Sequence, residues 1–160
     1  MHENVRPVLQ AILDGMDLSR MDVLEVGAYN VNGSIADMFA GAKSYRGADV
    51  EDGPGVDIVL PDQYLWGIAG RYDLVVSANT LEHVRWPWCW ACAAARALRS
   101  GGWVAVIVPF TIGLHRFPFD CWRLMPDGMQ ALLEWARFTD IRVGQSDAGY
   151  RDVWGVGRKV

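Results

Sequence analysis

The sequence predicts an α/β fold: a seven-stranded, mostly parallel sheet with one antiparallel strand near its end and helices on both faces. Three observations carry this expectation. Strand-like and helix-like patterns alternate from one end of the chain to the other. The run at 103–109 is almost wholly apolar, as a central parallel strand buried on both faces must be. A strand at 22–26 runs directly into Gly27 and a polar loop, the kind of junction at which open α/β sheets bind ligands.

Residues 5–16 form an amphipathic helix with Val8, Leu9, Ile12 and Leu13 on one face. The first strand, 22–26, ends at Gly27. A helix is expected at 33–42, with Asn32 or Ser34 near its N-cap. Strands are read at 44–50, 56–60 and 72–77. A helix at 88–99 is stopped by Gly101-Gly102. After the apolar strand comes a long loop, 110–125, and Pro126 then opens a helix through Trp135, since proline suits a first turn. Segments 139–144 and 151–157 are separated by a short turn and should close the sheet as an antiparallel pair.

Composition sets the limits. A length of 160 residues suits one domain spanning 1–160. Hydrophobic residues make up 51% and charged residues 21%, enough to bury a core and too apolar for a disordered chain. The net charge is −4 and the pI about 5.3, so bulk electrostatics favour neither nucleic acid nor an anionic membrane as a partner. Met1 to Pro7 carry two opposite charges and no long apolar run comes after them, so no signal peptide is expected. No stretch of about 18 apolar residues suggests a membrane span. Three cysteines make a poor disulfide framework and point to a reducing, cytoplasmic setting. There is no repeat, low-complexity tract or linker, and a homo-oligomer is compatible with this composition.

Three strand ends carry residues suited to chemistry. After the first strand, Gly27 lets a ligand approach the backbone, the Asn32-Gly33-Ser34 turn leads to a helix whose free N–H groups suit a carboxylate, and Glu25 can attract an ammonium. The plain alternative is an ordinary strand–helix turn. Asp49 ends the second strand about 20 residues further on, where a carboxylate can accept both hydroxyls of a ribose; the alternative is a solvated loop acid. After the fourth strand, Ser77 to His83 bring small and polar residues beside the expected reacting centre. His83 titrates near neutrality and suits a base, or else braces a helix. The glycine spacing separates two cofactors. Ala28 and Tyr29 come after Gly27, and the next glycine is Gly33, which fits the Gly-x-Gly-x-x-Gly of a dinucleotide site poorly. A ligand with a ribose and an amino acid but no phosphate fits better.

Several stretches resemble the motifs of class I methyltransferases, especially the compact type 11 group. These are Val23-Leu24-Glu25-Val26-Gly27, Tyr45-Arg46-Gly47-Ala48-Asp49, Tyr72-Asp73-Leu74-Val75-Val76 with Leu81-Glu82-His83-Val84, and Leu98-Arg99-Ser100-Gly101-Gly102-Trp103. They occur in the right order over most of the chain. The resemblance implies a Rossmann-like methyltransferase fold and S-adenosyl-L-methionine as cofactor. It implies that Glu25, Gly27 and the turn Asn32, Gly33, Ser34 hold the methionine end. Asp49 would bind the ribose, Val50 would lie against the adenine, Asp62 would meet the adenine amino group, and Asn79 would stand near the sulfonium. The first motif departs from the family where Ala28-Tyr29-Asn30 replaces its second glycine.

The segment His115-Arg116-Phe117-Pro118-Phe119-Asp120-Cys121-Trp122-Arg123 resembles a His-x-x-Pro-x-Asp-Tyr-Trp-Arg stretch of some bacterial members. On that likeness His115 and Asp120 join His83 as candidates for moving a proton, and Arg116, Trp122 and Arg123 for binding the acceptor. The alternative is that Asp120 and Arg123 pair and the aromatics pack the loop down. Cys89-x-x-Cys92 has no second pair to complete a four-ligand zinc site and lies in an alanine-rich helix, so buried packing is expected and no metal. Trp86, Trp88 and Trp90 are likewise expected to pack.

The functional expectation is a methyltransferase acting on a small-molecule acceptor at oxygen or nitrogen, such as a sugar or a natural-product intermediate. Ser77 to Thr80 stand where an Asn-Pro-Pro-Tyr-like motif would mark DNA amino-methylation. The competing readings are a non-catalytic S-adenosylmethionine-binding or interaction module completed by a partner, and a nucleotide-dependent oxidoreductase, which the glycine spacing disfavours.

Overall fold

The computed structural model describes residues 5–147, 149 and 151–160. Among these, three α-helices are found: α1 (Val5–Leu13), α2 (Pro87–Ala97) and α3 (Pro126–Trp135). The strands are β1 (Asp22–Val26), β2 (Ser44–Asp49), β3 (Ile58–Val59), β4 (Tyr72–Ala78), β5 (Leu98–Val108), β6 (Phe138–Gln145) and β7 (Val153–Lys159). They form one seven-stranded sheet in the order β3-β2-β1-β4-β5-β7-β6. Pairing is parallel from β3 through β5, and β7 runs antiparallel to both its neighbours. The chain leaves β1 toward one edge and returns to β4 on its other side, so the strand order reverses between these two. That reversal opens a crevice at their C-terminal ends.

Side-chain alternation divides the core. Leu24, Val75, Val104 and Val106 face α2 and α3. Val23, Leu74, Val76, Ala105 and Ile107 face α1 and a 3-10 turn at Ala36–Phe39. This is the two-residue period of strands buried on both faces. The alanines of α2 (Ala91, Ala93, Ala94 and Ala97) are buried against the sheet. No helix among the described residues is long and apolar enough to cross a membrane.

Three local expectations are corrected. The helix expected at 33–42 is only the four-residue 3-10 turn. Gly33 takes φ +118°, and Arg6 of α1 donates to the Ser34 carbonyl (3.0 Å) and to Asp37, holding the segment off helical geometry. There is consequently no helix N-terminus to receive a carboxylate. The strand expected at 56–60 shrinks to Ile58–Val59. Gly101-Gly102 does not stop α2, which ends at Ala97 and passes straight into β5. Instead the glycines lie in an irregularity where Tyr72 pairs with Leu98 but Leu74 pairs with Trp103. Arg99 there donates to Asp73 (2.6 Å) and meets Asp22 at 3.0 Å, and Lys43 also reaches Asp22 (2.9 Å). These ion pairs tie β1, β4 and β5 together at the end opposite the crevice.

Trp90 is buried as expected, but Trp86 and Trp88 are exposed. Trp88 borders a shallow apolar groove with Trp122, Leu132 and Trp135. Cys89, Cys92 and Cys121 are free thiols.

Candidate functional site

The crevice contains a cavity of about 360 Å³, within the size range of small-molecule sites. Its first wall is the loop after β1. Gly27 has φ +87°, and a Cβ built on it would stand 1.9 Å from Thr80 Oγ1. The loops after β1 and β4 therefore touch backbone to side chain, with no room for a methyl between them. The Gly27 and Ala28 amides both donate to the Ala48 carbonyl, which fastens the loop to β2. Asn30 Oδ1 accepts from the Gly33 amide (2.9 Å), closing the loop on itself.

Two carboxylates face this wall. Asp49 accepts from the Tyr29 amide (3.1 Å) through Oδ2 and from the Glu51 amide (3.3 Å) through Oδ1. Glu25 is buried and accepts a hydrogen bond from the Tyr45 hydroxyl. Burial pushes the Glu25 carboxyl up to about 7; the Tyr45 bond opposes this and the nearby Asp49 charge adds to it. Burial first, and the Glu25 charge after it, hold the Tyr45 phenol protonated as the donor.

Beyond β4, Asn79 adopts φ +53° and lines the cavity, and neither its Oδ1 nor its Nδ2 has a partner. Glu82 and His83 sit on a 3-10 turn, Leu81–His83. The Glu82 side chain is 1% exposed, and neither carboxylate oxygen has a hydrogen-bond partner. Burial pushes its carboxyl up to about 8. His83 Nδ1 lies 2.5 Å from the Phe119 carbonyl, and burial lowers the imidazole's pKa.

The long loop comes back over these residues. The Cys121 amide donates to the Glu82 carbonyl (2.7 Å), and Trp122 Nε1 donates to that of Val84 (2.9 Å). His115 and Arg116 thereby reach the cavity. Arg123 donates to both oxygens of Asp120 (2.6 and 2.8 Å) and to the carbonyls of Ile112, Gly113 and Trp122. Asp120 also accepts from the His115 amide (2.8 Å). The Arg123 guanidinium holds the Asp120 carboxyl well below the usual carboxylate range.

Of the sequence-predicted residues, Glu25, Gly27, Asn32, Gly33, Asp49, Val50, Asn79, His83, His115 and Arg116 meet at this one cavity. Five others do not line it. Ser34 is turned away and accepts from the Ala36 amide. Asp62 uses its carboxylate to cap Tyr64 and Leu65 (2.5 and 2.6 Å), and its neighbour Gln63 lines the cavity instead. Asp120 is an anchor held ionised by Arg123, so it is no base near neutrality. Arg123 spends its donors on that anchor. Trp122 packs against Trp88 on the outer groove. The motifs did not point to Trp66 and Trp90, which meet edge to face (centroids 5.6 Å apart) beside the cavity, or to Glu82. Glu82 stood in the sequence only as a member of the Leu81-Glu82-His83-Val84 motif, with no role of its own.

Replacing Asp120 by alanine should free the His115 amide and strip Arg123 of its counter-charge. Amide exchange across 112–123 is expected to quicken by roughly tenfold or more while the sheet keeps its protection. Unchanged exchange would mean that this pair does not hold the loop.

No family model matches the sequence, and no curated protein matches it significantly. Solved structures do match the fold. An S-adenosylmethionine-dependent methyltransferase from Archaeoglobus fulgidus superposes with TM-score 0.70 at 14% identity, over 96% of this chain and 94% of that one. The 1,6-didemethyltoxoflavin-N1-methyltransferase of Burkholderia thailandensis, solved with 1,6-didemethyltoxoflavin and S-adenosylhomocysteine, gives 0.74 at 19% identity, over 99% and 77%. Phosphoethanolamine N-methyltransferase 2 of Haemonchus contortus, in complex with S-adenosylmethionine, gives 0.72 at 13% identity, over 96% and 52%. With its strand order and antiparallel β7, the chain has the Rossmann-like fold of the class I S-adenosylmethionine-dependent methyltransferases.

Proposed function

We propose that the protein is an S-adenosylmethionine-dependent methyltransferase acting on a small-molecule acceptor at oxygen or nitrogen. The observation that carries this is the convergence of Asp49, the Gly27 loop and Asn79 on one cavity at the point where the strand order reverses. The residues fit the cofactor. Gly27 lets the loop after β1 close on Thr80 at the cavity wall, and the unpartnered amide of Asn79 needs a polar occupant. The Burkholderia and Haemonchus structures, which hold this cofactor or its demethylated product, support the same reading.

When bound, the cofactor supplies a methyl group already activated on a sulfonium. The chain's own residues then have to align and shield. Asp49 would accept the ribose hydroxyls while the Tyr29 amide keeps its carboxylate in place. Glu25, with the turn at Asn32 and Gly33, would hold the amino-acid end. Val50, Gln63 and Trp66 would border the base, and Asn79 would sit beside the methyl. His83, His115 and Arg116 would face the acceptor, under a loop that keeps water out. A loop this close over the cavity supports a small acceptor rather than a nucleic acid. The free cysteines support a reducing, cytoplasmic setting.

Calorimetric titration tests the proposal. The wild type is expected to bind S-adenosylmethionine and S-adenosylhomocysteine at micromolar concentrations. Asp49→Ala should weaken both by roughly 10- to 100-fold, the effect of losing hydrogen bonds to a charged group. A folded wild type that binds neither would remove the proposal.

A further inference from the structure

The Glu82 carboxylate has no place in the cofactor-binding arrangement, yet it is the most deeply buried acid bordering the cavity. A carboxylate out of water without a partner is costly, and folds rarely retain one without use. Its neighbours are specific. His83 Nε2 stands 3.7 Å and His115 Nε2 3.6 Å from the same oxygen, Oε1. One donor atom from each residue lies within 4.8 Å of the other two. The two rings meet nearly edge to face, with centroids 5.0 Å apart.

These separations decide between two arrangements. A shared proton would draw the oxygen and nitrogen to about 2.7–3.0 Å, and 3.6–3.7 Å is too long for a hydrogen bond. Ligand atoms about 2.1 Å from a common tetrahedral ion lie roughly 3.4 Å from one another. The cluster is therefore too open to be held by its own hydrogen bonds, and its two oxygen-to-nitrogen separations lie within a few tenths of an ångström of the spacing an ion would impose.

The surroundings orient the same atoms. His83 Nδ1 donates to the Phe119 carbonyl (2.5 Å) and His115 Nδ1 to that of Gly113 (3.0 Å). Arg123 Nη2 also stands 3.3 Å from His115 Nδ1, but both its hydrogens are already donated, to Asp120 and to Gly113. Each imidazole thus carries its proton on Nδ1 and turns the Nε2 lone pair toward Glu82. A backbone acceptor behind each metal-binding histidine is the usual support of such ligands. The Asp120 and Asp152 carboxylates add negative charge around Glu82, against the single positive charge of Arg123.

We propose that Glu82, His83 and His115 form a binding site for a divalent first-row transition-metal ion. Two imidazoles and one carboxylate suit zinc, iron, cobalt or manganese rather than calcium or magnesium, which take oxygen ligands. Three protein ligands leave coordination positions open, the arrangement of catalytic rather than structural sites. All three residues line the cavity, so those positions face its interior. The sequence alone favours no metal, because the ligands come from two segments 32 residues apart that only the folded loop brings together.

The site does not depend on the methyltransferase reading, and its test is separate. Chelator-treated protein is titrated with Co²⁺, followed by visible d–d absorption and by calorimetry, with and without S-adenosylhomocysteine. One ion per chain at micromolar affinity is expected, with the spectrum of a nitrogen- and oxygen-ligated ion. Glu82→Gln keeps the side chain's shape, and His115→Ala changes only the loop; each should weaken binding by about 100-fold or more while metal-free melting confirms folding. A folded wild type that binds no Co²⁺ would overturn the site, even if it binds S-adenosylhomocysteine. Binding unchanged in both variants would overturn it too.

Discussion

Gly27→Ala is expected to abolish cofactor binding and to destabilise the protein by about 3–5 kcal/mol. Two independent costs combine at this residue. Its φ of +87° lies where an L side chain is strained, a cost of about 1–2 kcal/mol. The added Cβ would also stand 1.9 Å from Thr80 Oγ1 and 2.7 Å from Thr80 Cβ. Rotating the threonine relieves only the first of these contacts, because its Cβ does not move with χ1. The loop after β1 must then lift away from β4, which breaks the bonds from Gly27 and Ala28 to the Ala48 carbonyl and displaces Tyr29 from Asp49. Urea unfolding and calorimetry read the two effects separately. Adding Thr80→Gly should recover the steric share and leave the conformational share. A Gly27→Ala protein within about 1 kcal/mol of wild type that still binds the cofactor would show that the loops do not meet as described.

The same site separates the parts of the fold that were legible in the sequence from those that were not. Glu25, Asp49 and Asn79 could be placed because each lies at or beside the C-terminal end of a strand of five to seven residues, long enough to set its register. Asp62 could not, since β3 is two residues long and sets no register for the residues after it. The structure accordingly offers Gln63 where Asp62 was expected. The helix expected at 33–42 satisfied local propensity, but the winning interaction is Arg6 reaching Ser34 and Asp37 from about 30 residues away. Gly101-Gly102 matched a helix stop, yet its position is set by Arg99 turning to Asp73 and Asp22. In the long loop the structure follows the alternative reading for Asp120 and Arg123. Asp120 and Arg123 are consumed by each other, which leaves His115 and Arg116 at the cavity. Where local pattern decided the structure, the sequence was readable; where an ion pair between distant segments decided it, no pattern was present to read.

Cofactor binding is expected to strengthen about tenfold per pH unit between pH 5 and 7, and the source is Glu25. Its carboxyl is raised by burial to about 7, against about 4.5 in the unfolded chain. The neutral form is thus favoured in the folded protein. The stability this contributes is fully present below pH 4.5 and is lost as pH rises through about 7. An ammonium-bearing ligand reverses the preference, because it pairs with the ionised form. Below pH 7 the ligand must displace a proton to bind, which produces the slope; above it the carboxylate is already ionised and the gain levels off. Affinity should fall again above about pH 8, where an α-amino group loses its own proton. Glu25→Gln keeps the Tyr45 hydrogen bond but cannot ionise. The variant should therefore bind more weakly than wild type at pH 7.5 and lose the dependence between pH 5 and 7. A wild-type slope that survives in Glu25→Gln would move the titrating group elsewhere in the cavity. A flat wild-type profile would mean that the ligand's ammonium does not approach Glu25, and that the amino-acid end is held by the Asn32–Gly33 turn alone.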